Sequence, residues 1–191
     1  MTGPALGRFN GVFSGIMNIG VPRASWPVAA MLAVILLGCD SVEVGREAPD
    51  FTLANLDGKA VTLTGNRGNV VLLSFVATWA APCRMQFPGL SWLQKKYGNR
   101  RFKVLAVTIG EEAKAAAKYF QREPVLFTVL SGDEVTTKNW FGEKDMILPL
   151  TFLVDERGKV RAKFTGYHPG EDMVPEIEKA LAEGEASKPA P

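Results

Sequence analysis

Residues 70–76, Val-Val-Leu-Leu-Ser-Phe-Val, form the run that most constrains how this chain can fold. A strand with one solvated face alternates apolar and polar residues, whereas a strand buried on both faces is apolar almost throughout. Such a strand needs other layers of structure on each side of its sheet. The run therefore predicts a buried strand within a layered α/β domain.

The elements around this strand alternate in type. Before it, two short alternating segments, residues 51–56 and 59–64, meet at Asp57-Gly58, which predicts a β-hairpin. The predicted elements after it are a helix over 82–97, a strand over 102–109, a helix over 111–121, a strand over 125–130, a helix over 133–141, a strand pair over 150–154 and 159–165, and a helix over 171–183. This order predicts a central mixed β-sheet with helices on both faces.

Two interpretations concern side-chain burial on these helices. On the helix over 82–97, Met85, Leu90, Leu93 and Tyr97 form the predicted core-facing stripe. On the next helix, the charged residues from Glu111 onward predict a solvated face. Trp140 and Phe141 fit either the core or a small exposed patch.

The first 38 residues have the layout of a secretory signal. They contain Arg8 and Arg23 but no Asp or Glu, and residues 26–37 are an apolar run too short to span a bilayer comfortably. Removing them leaves 20 basic residues, two fewer than the 22 of the whole chain, against 20 acidic ones. The remaining domain is formally neutral, which gives no support to a nucleic-acid footprint.

The segment Leu36-Leu37-Gly38-Cys39 resembles the lipobox of bacterial lipoproteins. The resemblance implies cleavage before Cys39 and attachment of lipid to its sulfur. The alternative is an ordinary signal anchor with an incidental cysteine. The upstream part is long for such a signal, so Met17 is an alternative start of the chain.

Three separated motifs resemble the membrane-tethered thioredoxin-like (TlpA-like, redoxin) proteins of the bacterial envelope, the group related to cytochrome c maturation thiol-disulfide reductases. They are the segment Ala48-Pro49-Asp50-Phe51-Thr52-Leu53 with Asp57-Gly58, the segment Phe75-Val76-Ala77-Thr78-Trp79-Ala80-Ala81-Pro82-Cys83 with Phe87-Pro88, and the segment Leu148-Pro149-Leu150-Thr151-Phe152-Leu153-Val154-Asp155 with Gly158. The resemblance implies a thioredoxin fold with an N-terminal β-hairpin. The predicted organisation is a lipoprotein signal peptide over 1–38, a lipidated tether over 39–47, a thioredoxin-like domain over 48–183 and a flexible tail over 184–191.

Two residues depart from the pattern of this family. Ala80 stands where the family has its attacking cysteine, and Gln86 stands where these reductases often carry a glutamate that can accept or relay a thiol proton. In a Cys-x-x-Cys pair, the first sulfur attacks substrate disulfides. We therefore predict a degenerate active site, unless Ala80 is an engineered replacement.

Cys83 is the free thiol that remains once Cys39 is acylated, so no intramolecular disulfide is expected. One interpretation makes Cys83 a small buried apolar residue. The other makes it a single catalytic thiol that forms mixed disulfides, helped by the helix N-terminus.

A binding edge is implied beside this position. If Pro149 is cis, as the resemblance implies, the backbone of Leu148 lies beside Trp79, Ala80 and Pro82, where thioredoxin folds hold extended peptides by main-chain hydrogen bonds. The alternative is that Pro149 merely begins a strand. His168 follows in a loop and is interpreted as a surface residue.

The sequence thus favours a lipid-anchored protein of the periplasmic side of the envelope, retained at the inner membrane as Asp40 suggests by analogy with enteric sorting. It would act as a protein-binding module or as a subunit of a membrane complex, without dithiol redox activity. The alternative is a thiol-disulfide oxidoreductase that works through Cys83 alone or that has lost its first cysteine to an engineered change at position 80. No cofactor or nucleic acid is expected. No metal is expected either, because one histidine and one free thiol build neither a zinc nor a copper site.

Overall fold

The structure, a computed structural model, describes residues 42–142 and 146–186. The predicted signal peptide over 1–38, the lipidated Cys39 and the end of the tail over 187–191 lie outside the described residues. The first described element is the predicted hairpin, formed by β1 (Thr52–Ala54) and β2 (Ala60–Thr62) in antiparallel register. Its turn is held by Asn55, whose Oδ1 accepts hydrogen bonds from the backbone N–H groups of Asp57 and Lys59.

The central sheet has five strands in the order β5-β4-β3-β6-β7. Its strands are β3 (Val70–Val76), β4 (Phe102–Thr108), β5 (Thr128–Ser131), β6 (Leu150–Val154) and β7 (Val160–Thr165). The first three run parallel to one another, whereas β6 and β7 run antiparallel to their neighbours. All seven residues of β3 are buried, as its apolar sequence predicts for a central strand.

Two hydrophobic clusters lie on opposite faces of β3, since alternate residues of a strand point to opposite sides. The helices are α1 (Ala81–Tyr97), α2 (Ala113–Arg122), α3 (Glu134–Phe141) and α4 (Gly170–Ala186). Helices α1, α2 and α4 contribute buried side chains to the cluster that contains Leu72, and α3 contributes Trp140 and Phe141 to the cluster that contains Phe75. The predicted α/β class, with a mixed sheet between helices, is confirmed.

The predicted stripe of α1 is wrong at one position. Met85 is 60% exposed, while the buried residues of this helix are Cys83, Gln86, Phe87, Leu90, Leu93 and Tyr97. These positions recur every three or four residues, so one face of the helix is buried even though one of its residues is polar. Trp140 and Phe141, which the sequence left undecided, belong to the core.

The folded part is longer than the predicted domain at both ends. Val42 is buried, its N–H donates to the carbonyl of Trp140 at 3.3 Å, and the N–H of Gly45 donates to the carbonyl of Val160 at 2.7 Å. The described part of the tether, residues 42–47, is therefore packed against the domain. At the other end, α4 continues to Ala186 and Gly184 is buried, so residues 184–186 are helical and not a flexible tail.

Candidate active site

The candidate site lies at one end of the sheet, where β3 ends and β6 begins. Phe75 of β3 pairs with Leu150 of β6, so the residues that follow β3 and those that precede β6 share an edge. The first group is the loop over 77–80, which leads into α1. The second group contains Leu148 and Pro149. The fold therefore places the motif around Trp79 near the predicted proline segment.

Position 80 caps α1 without a polar side chain. Ala80 is the N-cap residue, and its carbonyl accepts the N–H groups of Cys83 at 3.1 Å and Arg84 at 3.2 Å. Pro82 is in the first turn, where its missing N–H costs no helical hydrogen bond. A thiol at this N-cap would lie near the positive end of the helix dipole. The methyl group of Ala80 offers no nucleophile there.

Cys83 is fully buried, with 0% of its surface exposed, among the apolar residues on the α1 face of the sheet. Its Sγ accepts a hydrogen bond from the N–H of Ala77 at 3.4 Å. Burial raises the pKa of the Cys83 thiol because the thiolate loses hydration; the charge of Glu111 acts in the same direction, while the Ala77 N–H and Arg84 oppose it. The thiol is therefore neutral and shielded near pH 7.

The loop before α1 is held on two sides. Arg84 donates from Nη1 to the carbonyls of Thr78 and Trp79, each at 2.9 Å. Oε1 of Glu111 accepts the N–H of Thr78 at 2.8 Å, and its Oε2 hydrogen-bonds to the Thr78 hydroxyl. Trp79 stays 64% exposed while its Nε1 donates to the carbonyl of Gly110 at 3.3 Å. The loop is thus fixed with its indole presented to solvent.

The solvated-face interpretation is wrong for Glu111. This residue precedes α2, which begins at Ala113, and its half-buried carboxylate faces the loop of the site. This role of Glu111 was not predicted from the sequence, because the contact joins residues 33 positions apart. The glutamate directly after Gly110, at the end of a strand, was the available signal, since strand ends at one edge of a sheet meet there.

The peptide bond between Leu148 and Pro149 is cis. Pro149 is buried and its carbonyl accepts the N–H of Gly166 at 2.8 Å, whereas Leu148 is half-buried. Within residues 42–142 and 146–186, the backbone N–H and carbonyl of Leu148 pair with no other group. An accessible backbone with free donor and acceptor groups can add an extended peptide. We call Trp79, Ala80, Pro82, Leu148 and Pro149 the docking edge.

Behind the docking edge lies Gln86, which is 1% exposed. Its Nε2 donates to Oγ1 of Thr151 at 3.0 Å, and its Oε1 accepts the N–H of His168 at 3.3 Å. His168 is half-buried, with Nδ1 3.7 Å from Oδ2 of Asp172, so the surface interpretation of this histidine is only partly right. In the described part of the chain, no cluster of His, Cys, Asp and Glu side chains is suited to hold a metal ion.

The comparisons with known proteins agree on one family. The sequence profile of the Redoxin family matches residues 43–181. The thiol-disulfide oxidoreductase ResA of Geobacillus thermodenitrificans is 35% identical over 138 residues, which are 72% of this chain and 78% of that protein. ResA of Bacillus subtilis is 29% identical over 153 residues, 80% of this chain and 84% of that protein.

Solved structures have the same fold. A protein from Chlorobium tepidum described as a thiol:disulfide interchange protein DsbE aligns with a TM-score of 0.67 and 36% identity, over 74% of this chain and 99% of that chain. A protein from Bacteroides thetaiotaomicron described as a protein disulfide isomerase, known from a solution structure, aligns with a TM-score of 0.65 and 28% identity, over 76% of this chain and 94% of that chain.

Proposed function

We propose, from the premise that this chain belongs to the Redoxin family, that it is a lipid-anchored thioredoxin-fold protein of the bacterial envelope which binds a protein partner and performs no dithiol exchange. The observation that carries the proposal has two parts: position 80 is an alanine without a thiol, and the thiol of Cys83 is buried. Dithiol exchange needs an accessible thiolate that attacks and a second thiol that resolves the mixed disulfide. The described residues contain only the second, and its pKa is raised.

The docking edge supports binding in place of catalysis. The free backbone groups of Leu148 match the main-chain donors and acceptors of an extended peptide, and the exposed indole of Trp79 offers a rigid apolar contact at the same end of the sheet. Neither feature depends on sulfur. The partner is therefore a protein with an extended segment, recognised mainly through its backbone.

The proposed anchor would hold the domain close to a membrane. If Cys39 carries the lipid, only Asp40 and Ser41 separate it from Val42, where the packed domain begins. At ~3.3–3.6 Å per residue, the three steps from Cys39 to Val42 extend at most about 11 Å. No helix in the described part of the chain is long and apolar enough to cross a membrane. We place the domain on the periplasmic side, retained at the inner membrane.

A second function is favoured by the names of the relatives, which are thiol-disulfide oxidoreductases. In that case the protein works through Cys83 alone, forming a mixed disulfide with glutathione or a partner cysteine, or else position 80 has been changed from a cysteine. The low accessibility and raised pKa of Cys83 weigh against the first form.

The proposed function is tested by partner capture from native membranes after gentle detergent extraction and crosslinking of the full chain. We expect Cys83→Ser to retain the partner and Trp79→Ala to lose it. Leu126→Ala is a matched control, because Leu126 is 61% exposed and precedes β5, outside the docking edge. Loss of the partner with Cys83→Ser alone would instead support the single-thiol function.

The single-thiol function is tested by the reactivity of Cys83 toward iodoacetamide and oxidised glutathione. We expect alkylation of the folded protein to be slower than that of the protein in urea, because the raised pKa lowers the thiolate fraction near neutral pH and burial keeps the reagent away from Sγ. The rate should rise with pH as the thiolate forms. Equal rates in the folded and unfolded protein would contradict the shielded thiol that our proposal needs.

A further inference from the structure

A chain of buried polar groups ties three elements together behind the docking edge. Gln86 of α1 bonds to Thr151 of β6 and to the backbone of His168, in the loop over 166–169 between β7 and α4. Thr151 in turn lies 2.8 Å from Ser74 of β3, oxygen to oxygen. The side chains of Ser74, Gln86 and Thr151 are buried. We call these four residues the Gln86 bracket.

The chemistry of the bracket fixes the direction of both hydrogen bonds of Gln86. A backbone N–H can only donate, so the His168 N–H requires the amide oxygen of Gln86 as its acceptor. This leaves the amide nitrogen facing Thr151, whose hydroxyl oxygen accepts. The Thr151 proton is then free to be donated to Ser74. Each side-chain nitrogen and oxygen of Ser74, Gln86 and Thr151 has at least one hydrogen-bond partner, which a buried polar network needs for stability.

The bracket touches the docking edge on both sides. Thr151 lies two residues after Pro149 on β6, and the loop that carries His168 begins at Gly166, whose N–H donates to the carbonyl of Pro149. We propose that Gln86 is a positioning residue which fixes the Leu148–Pro149 segment and the loop over 166–169 through bonds that no protonation step can alter. The inference deepens the proposed function, on which its relevance to partner binding rests.

The titratable groups around the bracket come from α1, from the loop and from α4. Cys83 lies one turn earlier on α1, Tyr167 and His168 lie in the loop, and Glu171 and Asp172 lie at the start of α4, with Asp172 close to the His168 ring. Strands β3 and β6 contain no ionisable residue. The same neighbouring groups surround position 86 in every variant, so each variant is compared with the wild type at the same pH.

The test is hydrogen exchange of the His168 amide in the full-chain protein held in nanodiscs, followed by NMR at pH 5 and pH 8 and expressed as protection factors. We expect the wild-type amide to be protected equally at both values. Gln86→Met keeps a long side chain of similar size but removes the acceptor, and should lower the protection factor by about tenfold or more at both values. Full protection in Gln86→Met would overturn the proposal.

Gln86→Glu is the matched variant, because the charge of its side chain can be changed with pH. At pH 5 a neutral carboxyl can accept from His168 and donate to Thr151, so protection should match the wild type. As pH rises, ionisation in a buried site favours the open state, and protection should fall by about tenfold per pH unit between the pKa values of the carboxyl in the open and closed states. Equal protection at pH 5 and pH 8 in this variant would contradict the role of an uncharged amide.

These outcomes are separate from those of the proposed function, since the exchange measurement needs no partner. A protected His168 with no captured partner would contradict only the proposed function. An unprotected His168 amide in the wild type would contradict only the positioning role of Gln86.

Discussion

Ala80→Cys is expected to turn this protein into one that reduces disulfides. The introduced thiol would sit at the N-cap of α1, three residues before Cys83 and beside the exposed Trp79. Thiols at helix N-termini have pKa values of roughly 3.5–7.5 instead of about 8.5, which raises the thiolate fraction at pH 7 by about eightfold when the pKa falls to 7.5 and by more when it falls further. Residues i and i+3 of a helix share a face, so the two sulfurs can form a disulfide.

The measurement is the reduction of insulin by the full-chain protein with dithiothreitol, together with the count of free thiols in glutathione buffers. The matched control is Ala81→Cys, which places an exposed thiol one residue further along the same turn. Residues 81 and 83 point to different sides of the helix, so this pair cannot close without moving the backbone. If the unaltered protein already reduces insulin as fast as Ala80→Cys, the proposed function fails.

The fold could be predicted largely from the sequence because its strongest signals are local. The apolar run of β3, the Asp57-Gly58 turn and the alternation of elements each act over a few residues, and all three are confirmed. The start of β5 was predicted three residues too early, at Val125 instead of Thr128, because an apolar run alone does not show where pairing with β4 begins. Met85 was misplaced because an apolar residue was assumed to be buried.

The candidate site could be predicted only in part. Trp79, Ala80 and Cys83 stand within five consecutive residues, so their motif is visible without a structure. The contacts that shape the site join distant positions: Thr78 and Glu111 are 33 positions apart, and Gln86 and His168 are 82 positions apart. A single sequence gives no pairing information at such separations. From the sequence, Gln86 was therefore interpreted only as the loss of an acid, whereas the structure shows that its amide forms hydrogen bonds with Thr151 and His168.

The stability of this site depends on the core beneath it more than on the exposed edge. The indole of Trp140 is fully buried, with ring centroids 5.4 Å from Phe75 and 4.9 Å from Phe152. These two phenylalanines lie on β3 and β6, the strands that lead to and from the docking edge. Trp140→Ala should therefore lower the free energy of unfolding by about 3–5 kcal/mol through lost contacts and the cavity left behind.

Urea denaturation followed by circular dichroism at constant pH measures this effect. Trp140→Phe is the matched variant and should cost less, because it keeps a ring in the cluster and removes an indole N–H that pairs with no group in the described part of the chain. Trp79→Ala, at an exposed position, should change stability by less than about 0.5 kcal/mol while abolishing partner capture. A Trp140→Ala loss below about 1 kcal/mol would mean that this cluster does not hold β3 and β6 together. Comparable losses from Trp79→Ala and Trp140→Ala would mean that capture reports folding and not binding.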